Sequence, residues 1–360
     1  MTQSTILCFS CEPGGSEVLI PVIRLLKARR ACRVVILAYG LGAARFAAKG
    51  IDCVEIGPVP KDDPALIERY RPSLIITSAT SLPERDMSEK HLWHNARRQG
   101  VPTLAFLDQW QNYTPRFSGT TQSERLAYLP DYINCIDEVG EAEMAAEGFP
   151  RQKLVKFGHP YLSGLREESA AVDTEAVRRQ LGLGSGEKIA LFVSEAIREH
   201  YGNSRGYDQY DAFGLFLELC SRAGDGAILV KVHPKDRVEG YREAAAAYGA
   251  PNCSFVSEGL SAVQCLAVAD RVYGMTSIML IEAYVLGKEA VSLQPGLRIE
   301  DPLMLSRHAL IERIEDAGQK RERFQPREGA GFAFGFDTEK FLRGLGELFA
   351  LPGCNPDSEA

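Results

Sequence analysis

Residues 230–236, VKVHPKD, carry an apolar run into a His-Pro-Lys turn, with a second lysine two residues before the histidine. Residues 273–287, YGMTSIMLIEAYVLG, form a companion: a strand ending at Gly274 and a helix opening on Thr276 and Ser277. Together these residue types suit the holding of a phosphate ester without a metal. Pro234 fixes one backbone dihedral and stops the strand, so His233 and Lys235 are expected at its carboxyl end, where open α/β sheets place ligands. The helix beginning near Thr276 offers unpaired N–H groups and the positive end of its dipole, and two hydroxyls add donors. Glu282, further along that helix, is placed either to take ribose hydroxyls or to face solvent. A His-Pro-Lys alone is as readily a surface turn, and Thr-Ser at a helix start is ordinary capping. The pair, in order on consecutive βα units, is what points to a phosphate.

Three loops of the remaining sequence follow strands and carry chemistry. Glu12-Pro13-Gly14-Gly15-Ser16 lies between the first strand and a helix, where glycines let backbone approach a ligand and the helix start favours an anion. The spacing is neither a G-x-G-x-x-G fingerprint nor a Walker loop, and a tight turn without a ligand is the alternative. Residues 108–117, DQWQNYTPRF, are the densest polar and aromatic loop. Asp108, Trp110, Asn112, Tyr113 and Arg116 are candidate contacts to a sugar or acceptor; alternatively Trp110 and Phe117 are core and Asp108 pairs with Arg116. In residues 194–203, SEAIREHYGN, the candidates are Ser194, Glu195 and Arg198, for phosphate or base, with a solvated helix as the alternative.

The elements that must position these residues are short apolar runs alternating with helical patterns, the signature of parallel sheets covered by helices. The pattern predicts an α/β protein of two Rossmann-like domains facing across a cleft. The expected boundaries are 1–165 for an acceptor-side domain, 166–186 for a linker, 187–336 for a nucleotide-sugar-binding domain, and 337–360 for a last helix and tail. Residues 329–335, GAGFAFG, read as a Gly/Phe loop of no legible role.

Composition narrows the class. With 45% hydrophobic and 25% charged residues the chain is globular, and no run approaches the ~18 apolar residues of a membrane helix. No basic region precedes the first short apolar run, so a cytoplasmic protein is expected. A net charge of −7 argues against a nucleic-acid surface. The nine cysteines are scattered and odd in number, as for reduced buried thiols. Cys8 and Cys11 begin within a strand rather than opening a redox helix. His91 and His94 lack the further ligands of a zinc site. No metal and no cofactor are expected.

The HPK turn at 233–235 and the TS pair at 276 and 277 resemble the His-Pro and Ser/Thr motifs of bacterial sialyltransferases, polysialyltransferases and Kdo transferases, within the GT-B glycosyltransferase superfamily. CDP-glycerol polymer synthases show a similar turn. The EPGG loop is similar to the glycine-containing first loop of GT-B enzymes such as lipid A disaccharide synthase, and Gly158-His159-Pro160 to the G-N-P turn of UDP-GlcNAc 2-epimerases. The resemblance implies two face-to-face Rossmann-like domains and a cytidine-nucleotide phosphate held by His233, Thr276 and Ser277. The sialyltransferase D/E-D/E-G base motif and the epimerase G-T-R-P-E loop are both missing. The expectation is metal-independent glycosyl transfer from a cytidine or uridine nucleotide sugar to a saccharide or lipid-linked hydroxyl in bacterial surface polysaccharide or glycolipid synthesis. His233, Lys235 and the helix start would stabilise the leaving group, and Asp108 or Glu12 would serve as general base. A 2-epimerase or hydrolase on the same fold, and a non-catalytic nucleotide-binding protein, are the alternatives. A lipid-linked acceptor would require only a peripheral membrane contact.

Overall fold

The computed structural model describes residues 3–184, 186–223, 226–233, 236–250, 253–256, 259–318, 332 and 334–351. Pro234 and Lys235 therefore lie outside the described residues. The chain divides into two units, Met1–Ser163 with Gly331–Ala360, and Gly164–Ala330.

Unit 1 runs β1 (Thr5–Ser10), α1 (Pro13–Arg29), β2 (Arg33–Ala38), α2 (Gly40–Ala48), β3 (Val54–Glu55), α3 (Ala65–Tyr70), β4 (Leu74–Thr77), α4 (Ser88–Arg98), β5 (Thr103–Phe106), α5 (Tyr113–Arg116), β6 (Tyr132–Asn134), α6 (Glu138–Ala146), β7 (Leu154–Val155) and α7 (Pro160–Ser163). Its seven strands form one parallel sheet in the order β3-β2-β1-β4-β5-β6-β7. Strands β1, β4 and β5 are buried along their whole length, which is why they read as uninterrupted apolar runs.

Unit 2 runs α8 (Leu165–Ala170), α9 (Thr174–Gln180), β8 (Ile189–Val193), α10 (Ile197–Tyr201), α11 (Gln209–Ala223), β9 (Ala227–Lys231), α12 (Val238–Ala247), β10 (Cys253–Val256), α13 (Ala262–Val268), β11 (Arg271–Gly274), α14 (Ile278–Val285), β12 (Glu289–Leu293), α15 (Met304–Arg307) and β13 (Glu312–Ile314). The sheet is again parallel, β10-β9-β8-β11-β12-β13. In each sheet the strand order reverses once, between β1 and β4 and between β8 and β11. Those two switch points are where an open α/β sheet leaves a crevice.

Two boundaries differ from the sequence expectation. Residues 166–186 are not a bare linker: α8 and α9 pack on α13. The last helix, α16 (Thr338–Phe349), belongs to unit 1. Its Phe341, Leu342, Leu345 and Phe349 are buried in one core with Ile6, Leu104 and Phe106. Of the segment before it, the described Phe332, Phe334 and Phe336 form a strap. Phe332 and Phe334 pack edge-on against Trp110, and Phe336 against Phe106. Among the described residues no helix is long and apolar enough to cross a membrane.

Candidate functional site

At the switch point of unit 2 the ends of β8, β9 and β11 converge. Ser194, just past β8, accepts the His233 backbone N–H (2.9 Å) and donates to Asp236 Oδ2 (3.2 Å). Asp236 closes the turn by donating its N–H to the His233 carbonyl (2.9 Å). His233 and Asp236 are thus tied to the neighbouring strand end, and the His233 ring lies edge-on to His200 with centroids 6.2 Å apart. After β11, Ser277 caps α14 by accepting the Met279 N–H (3.2 Å). Glu282, on the same helix, is 2% exposed; it faces the interior rather than solvent.

Glu195 occupies the spot at which the sequence places an anion. Its Oε2 accepts the Thr276 backbone N–H (2.5 Å) and its Oε1 accepts the Thr276 hydroxyl (2.7 Å). Arg205, 2% exposed, donates from Nη1 to the same hydroxyl (2.9 Å). Burial pushes the Glu195 carboxyl above the usual carboxylate range, against the opposing pull of Arg205 and of the Thr276 and Ser277 donors. Arg198, by contrast, points outward to pair with Asp208.

The crevice of unit 1 is packed from within. A Cβ on Gly14 would lie 2.6 Å from Asp108 Oδ2, and one on Gly15 would lie 2.3 Å from Ser78 Oγ. These glycines make room for the protein's own side chains. Ser16, fully buried, donates to Ser10 Oγ (3.1 Å) and so is enclosed. Glu12 stands half-buried at the N-cap of α1.

The aromatic loop has its packed form. Trp110 is 1% exposed, donates Nε1–H to Asp137 (3.0 Å) and stacks on His159 at 5.6 Å, so it offers no ring face to a sugar. Phe117 is buried, and Arg116, 4% exposed, pairs with Asp108 Oδ1 at 2.7 Å while bonding the Ala79 carbonyl. Asn112 has φ 56° and ψ 39°, a left-handed conformation that asparagine tolerates well. Asp108 alone of this loop's charged residues keeps access to solvent, with a fifth of its side chain exposed.

Sequence reasoning missed Glu89, Lys90 and Arg205, and read His159 only as part of a turn. The first two are 1% exposed on the first turn of α4. Glu89 accepts from Ser78 Oγ and Thr80 N, and Lys90 donates to the Thr80 carbonyl (3.1 Å). Their charges mark them as solvated in a helical pattern, and no periodicity signal distinguishes them. Burial pushes the Cys8 thiol up to about 12 and the Cys11 thiol up as well. His91 bonds the Val59 carbonyl and His94 bonds Asp62. No cluster of metal-ligating side chains occurs among the described residues.

Compared with solved structures, the whole chain superposes on the whole of S. aureus MnaA, solved with UDP, at a TM-score of 0.69 and 13% identity. UDP-GlcNAc 2-epimerase from Neisseria meningitidis, bound to UDP-GlcNAc, matches 87% of the chain over 88% of its own length (TM-score 0.66, 12% identity). A glycosyltransferase from Rickettsia africae ESF-5 matches 88% over 85% (TM-score 0.61, 12% identity). The fold is GT-B. No family model and no curated protein sequence matches the chain. At these identities the GT-B likeness fixes the fold, and function must come from the crevices themselves.

Proposed function

We propose that this GT-B protein is an enzyme acting on a nucleotide-activated sugar, transferring the sugar to a hydroxyl acceptor. What supports this reading is Arg205 donating to the Thr276 hydroxyl beside the Ser277-capped N-terminus of α14, with His233 tied through Ser194 to the end of the adjacent strand β8. Charge developing on a departing phosphate there would meet the positive end of the helix dipole and the Arg205 guanidinium. Lys235 completes that set by sequence, and buried Glu282 is the candidate partner of the ribose. Asp108 and Glu12 are the candidates for the base that deprotonates the acceptor.

A second reading, 2-epimerisation of the nucleotide sugar, is favoured by the several solved neighbours that are UDP-GlcNAc 2-epimerases. Both readings share departure of the nucleotide from the anomeric carbon; they differ in what next attacks or deprotonates the sugar. The Neisseria meningitidis epimerase was solved with UDP-GlcNAc and S. aureus MnaA with UDP, so uridine donors are tested first and cytidine donors beside them.

The deciding experiment incubates the protein with each donor, with and without a saccharide acceptor, and follows the sugar by proton NMR. Nucleotide release only with acceptor supports transfer, and an epimeric sugar nucleotide without acceptor supports epimerisation. No donor consumed under either condition, together with no nucleotide binding, removes the nucleotide-sugar reading. For transfer, Asp108→Asn and Glu12→Gln are expected to lower turnover by ~100-fold for whichever is the base; full activity in both excludes them.

A further inference from the structure

The anion site on α14 is filled by the protein itself, and it has more donors than its occupant uses. The Thr276 N–H and hydroxyl converge on Glu195 at 2.5 and 2.7 Å. Arg205 reaches the same Thr276 hydroxyl from Nη1, and its charge attracts the Glu195 carboxylate. Its Nε–H is buried without an acceptor. An unsatisfied buried guanidinium N–H costs free energy unless something arrives to take it.

Arg205 is not there by accident of a mobile loop. Its guanidinium lies 3.8 Å over the Tyr201 ring, and its carbonyl accepts the Arg298 N–H (3.0 Å). The next residue, Gly206, has φ 92°, and a Cβ there would lie 2.3 Å from the Gly296 carbonyl, so only glycine lets the segment sit where it does. The arginine is pinned into the crevice between β8 and β11. A carboxylate has two oxygens, and here both are engaged by the Thr276 and Ser277 donors; a phosphate has a third for Arg205, which a guanidinium fork suits.

We infer that Arg205 is a phosphate-binding residue of the α14 site, and that Glu195 holds the place of a ligand phosphate and must leave for it to bind. The inference rests on the nucleotide reading only for the identity of the ligand; the anion site stands on the geometry alone. Glu195 would then act as an internal competitor. A ligand must offer more to Thr276 and Arg205 than the resident carboxylate does, which favours a diphosphate over a singly charged anion.

The test uses isothermal titration calorimetry of the full chain with inorganic pyrophosphate and, separately, with UDP and CMP. Glu195→Gln is expected to tighten pyrophosphate by about tenfold or more, the scale of removing one like charge at short range, and Arg205→Met to abolish binding. Far-UV circular dichroism and a melting curve establish that each variant folds. Should Glu195→Gln fail to fold, Glu195→Ala, which removes both the charge and the competing oxygens, carries the same expectation. Equal or weaker pyrophosphate binding in the Glu195 variant overturns the inference, as does no pyrophosphate binding by either protein. Tighter pyrophosphate with no nucleotide bound leaves the inference standing and sinks the nucleotide reading. Nucleotide bound equally by wild type and variant does the reverse.

Discussion

His159 receives the Leu162 N–H on Nδ1 (3.3 Å), so its own proton must sit on Nε2, where it is donated to the Asp108 carbonyl (3.0 Å). The ring is fully buried, stacked on Trp110, and burial pushes its pKa below the ordinary value. A protonated ring would lose the Leu162 bond as well as its solvation. In the unfolded chain the same imidazole takes up a proton below about pH 6.5, so the unfolded state binds more protons and stability falls as pH drops. This contribution is intact above that value and is lost from there down toward the depressed folded pKa, at up to ~1.4 kcal/mol per pH unit. Melting curves from pH 8 to pH 5 are therefore expected to fall more steeply for the wild type than for His159→Gln, with all other titrating groups common to both. Parallel curves would show that this ring does not titrate on unfolding. The same hydrogen bond fixes the backbone of Asp108, so any loss of Asp108 function in the variant should appear at pH 8 too.

An element-scale consequence follows from α4, whose first turn clamps the loop after β4. Glu89 takes Ser78 and Thr80, Lys90 takes the Thr80 carbonyl, and Arg116 takes the Ala79 carbonyl. Removing one buried acceptor that serves two donors costs roughly 1–3 kcal/mol for each donor left unmet. Glu89→Ala is thus expected to destabilise unit 1 by about 2–6 kcal/mol, while Arg98→Ala, on the exposed end of the same helix, should stay within about 0.5 kcal/mol. Urea unfolding followed by tryptophan fluorescence reads the difference, since Trp93 and Trp110 both lie in unit 1. Equal midpoints for the two variants would mean that the clamp carries no stability. This clamp also marks the limit of what the sequence makes legible. Buried strands such as β4 and β8 announce themselves because a parallel sheet covered on both faces demands apolar side chains at every position. Strand β13 does not, because its Glu312 and Arg313 keep partial access to solvent. Glu89, Lys90 and Arg205 are hidden for the opposite reason: their type signals water, and only the tertiary fold supplies their buried partners. At the candidate phosphate site the sequence singles out α14 and His233 through capping and proline, which are local rules. The carboxylate of Glu195 reaches Thr276 across 81 positions, which no local rule foresees.

On the scale of the whole molecule, the two units are unequal in how the chain builds them. Unit 2 is one continuous segment, whereas unit 1 is left at Ser163 and completed only by Gly331–Ala360. That returning segment is not an appendage. Phe336 bridges Gly158, the Asp337 N–H donates to the Phe157 carbonyl (2.8 Å), and a Cβ on Gly158 would lie 1.7 Å from the Gly335 carbonyl. Four buried apolar side chains of α16 close the core over β1 and β5, each worth roughly 1.5–3 kcal/mol. Their sum is comparable to the ~5–15 kcal/mol by which a typical domain is stable. Residues 164–330 expressed alone are therefore expected to fold, with a cooperative melting transition and dispersed amide resonances. Residues 1–163 alone are expected to lack both, and to regain them when 331–360 is joined to their C-terminus through a short flexible linker. A cooperative transition in the bare 1–163 fragment would show that the strap and α16 only decorate a core already complete. The strap also packs on Trp110, which stacks on His159 and so bears on the Asp108 backbone. Folding of unit 1 and the placing of its candidate base are accordingly one event, set late in the chain by the last thirty residues.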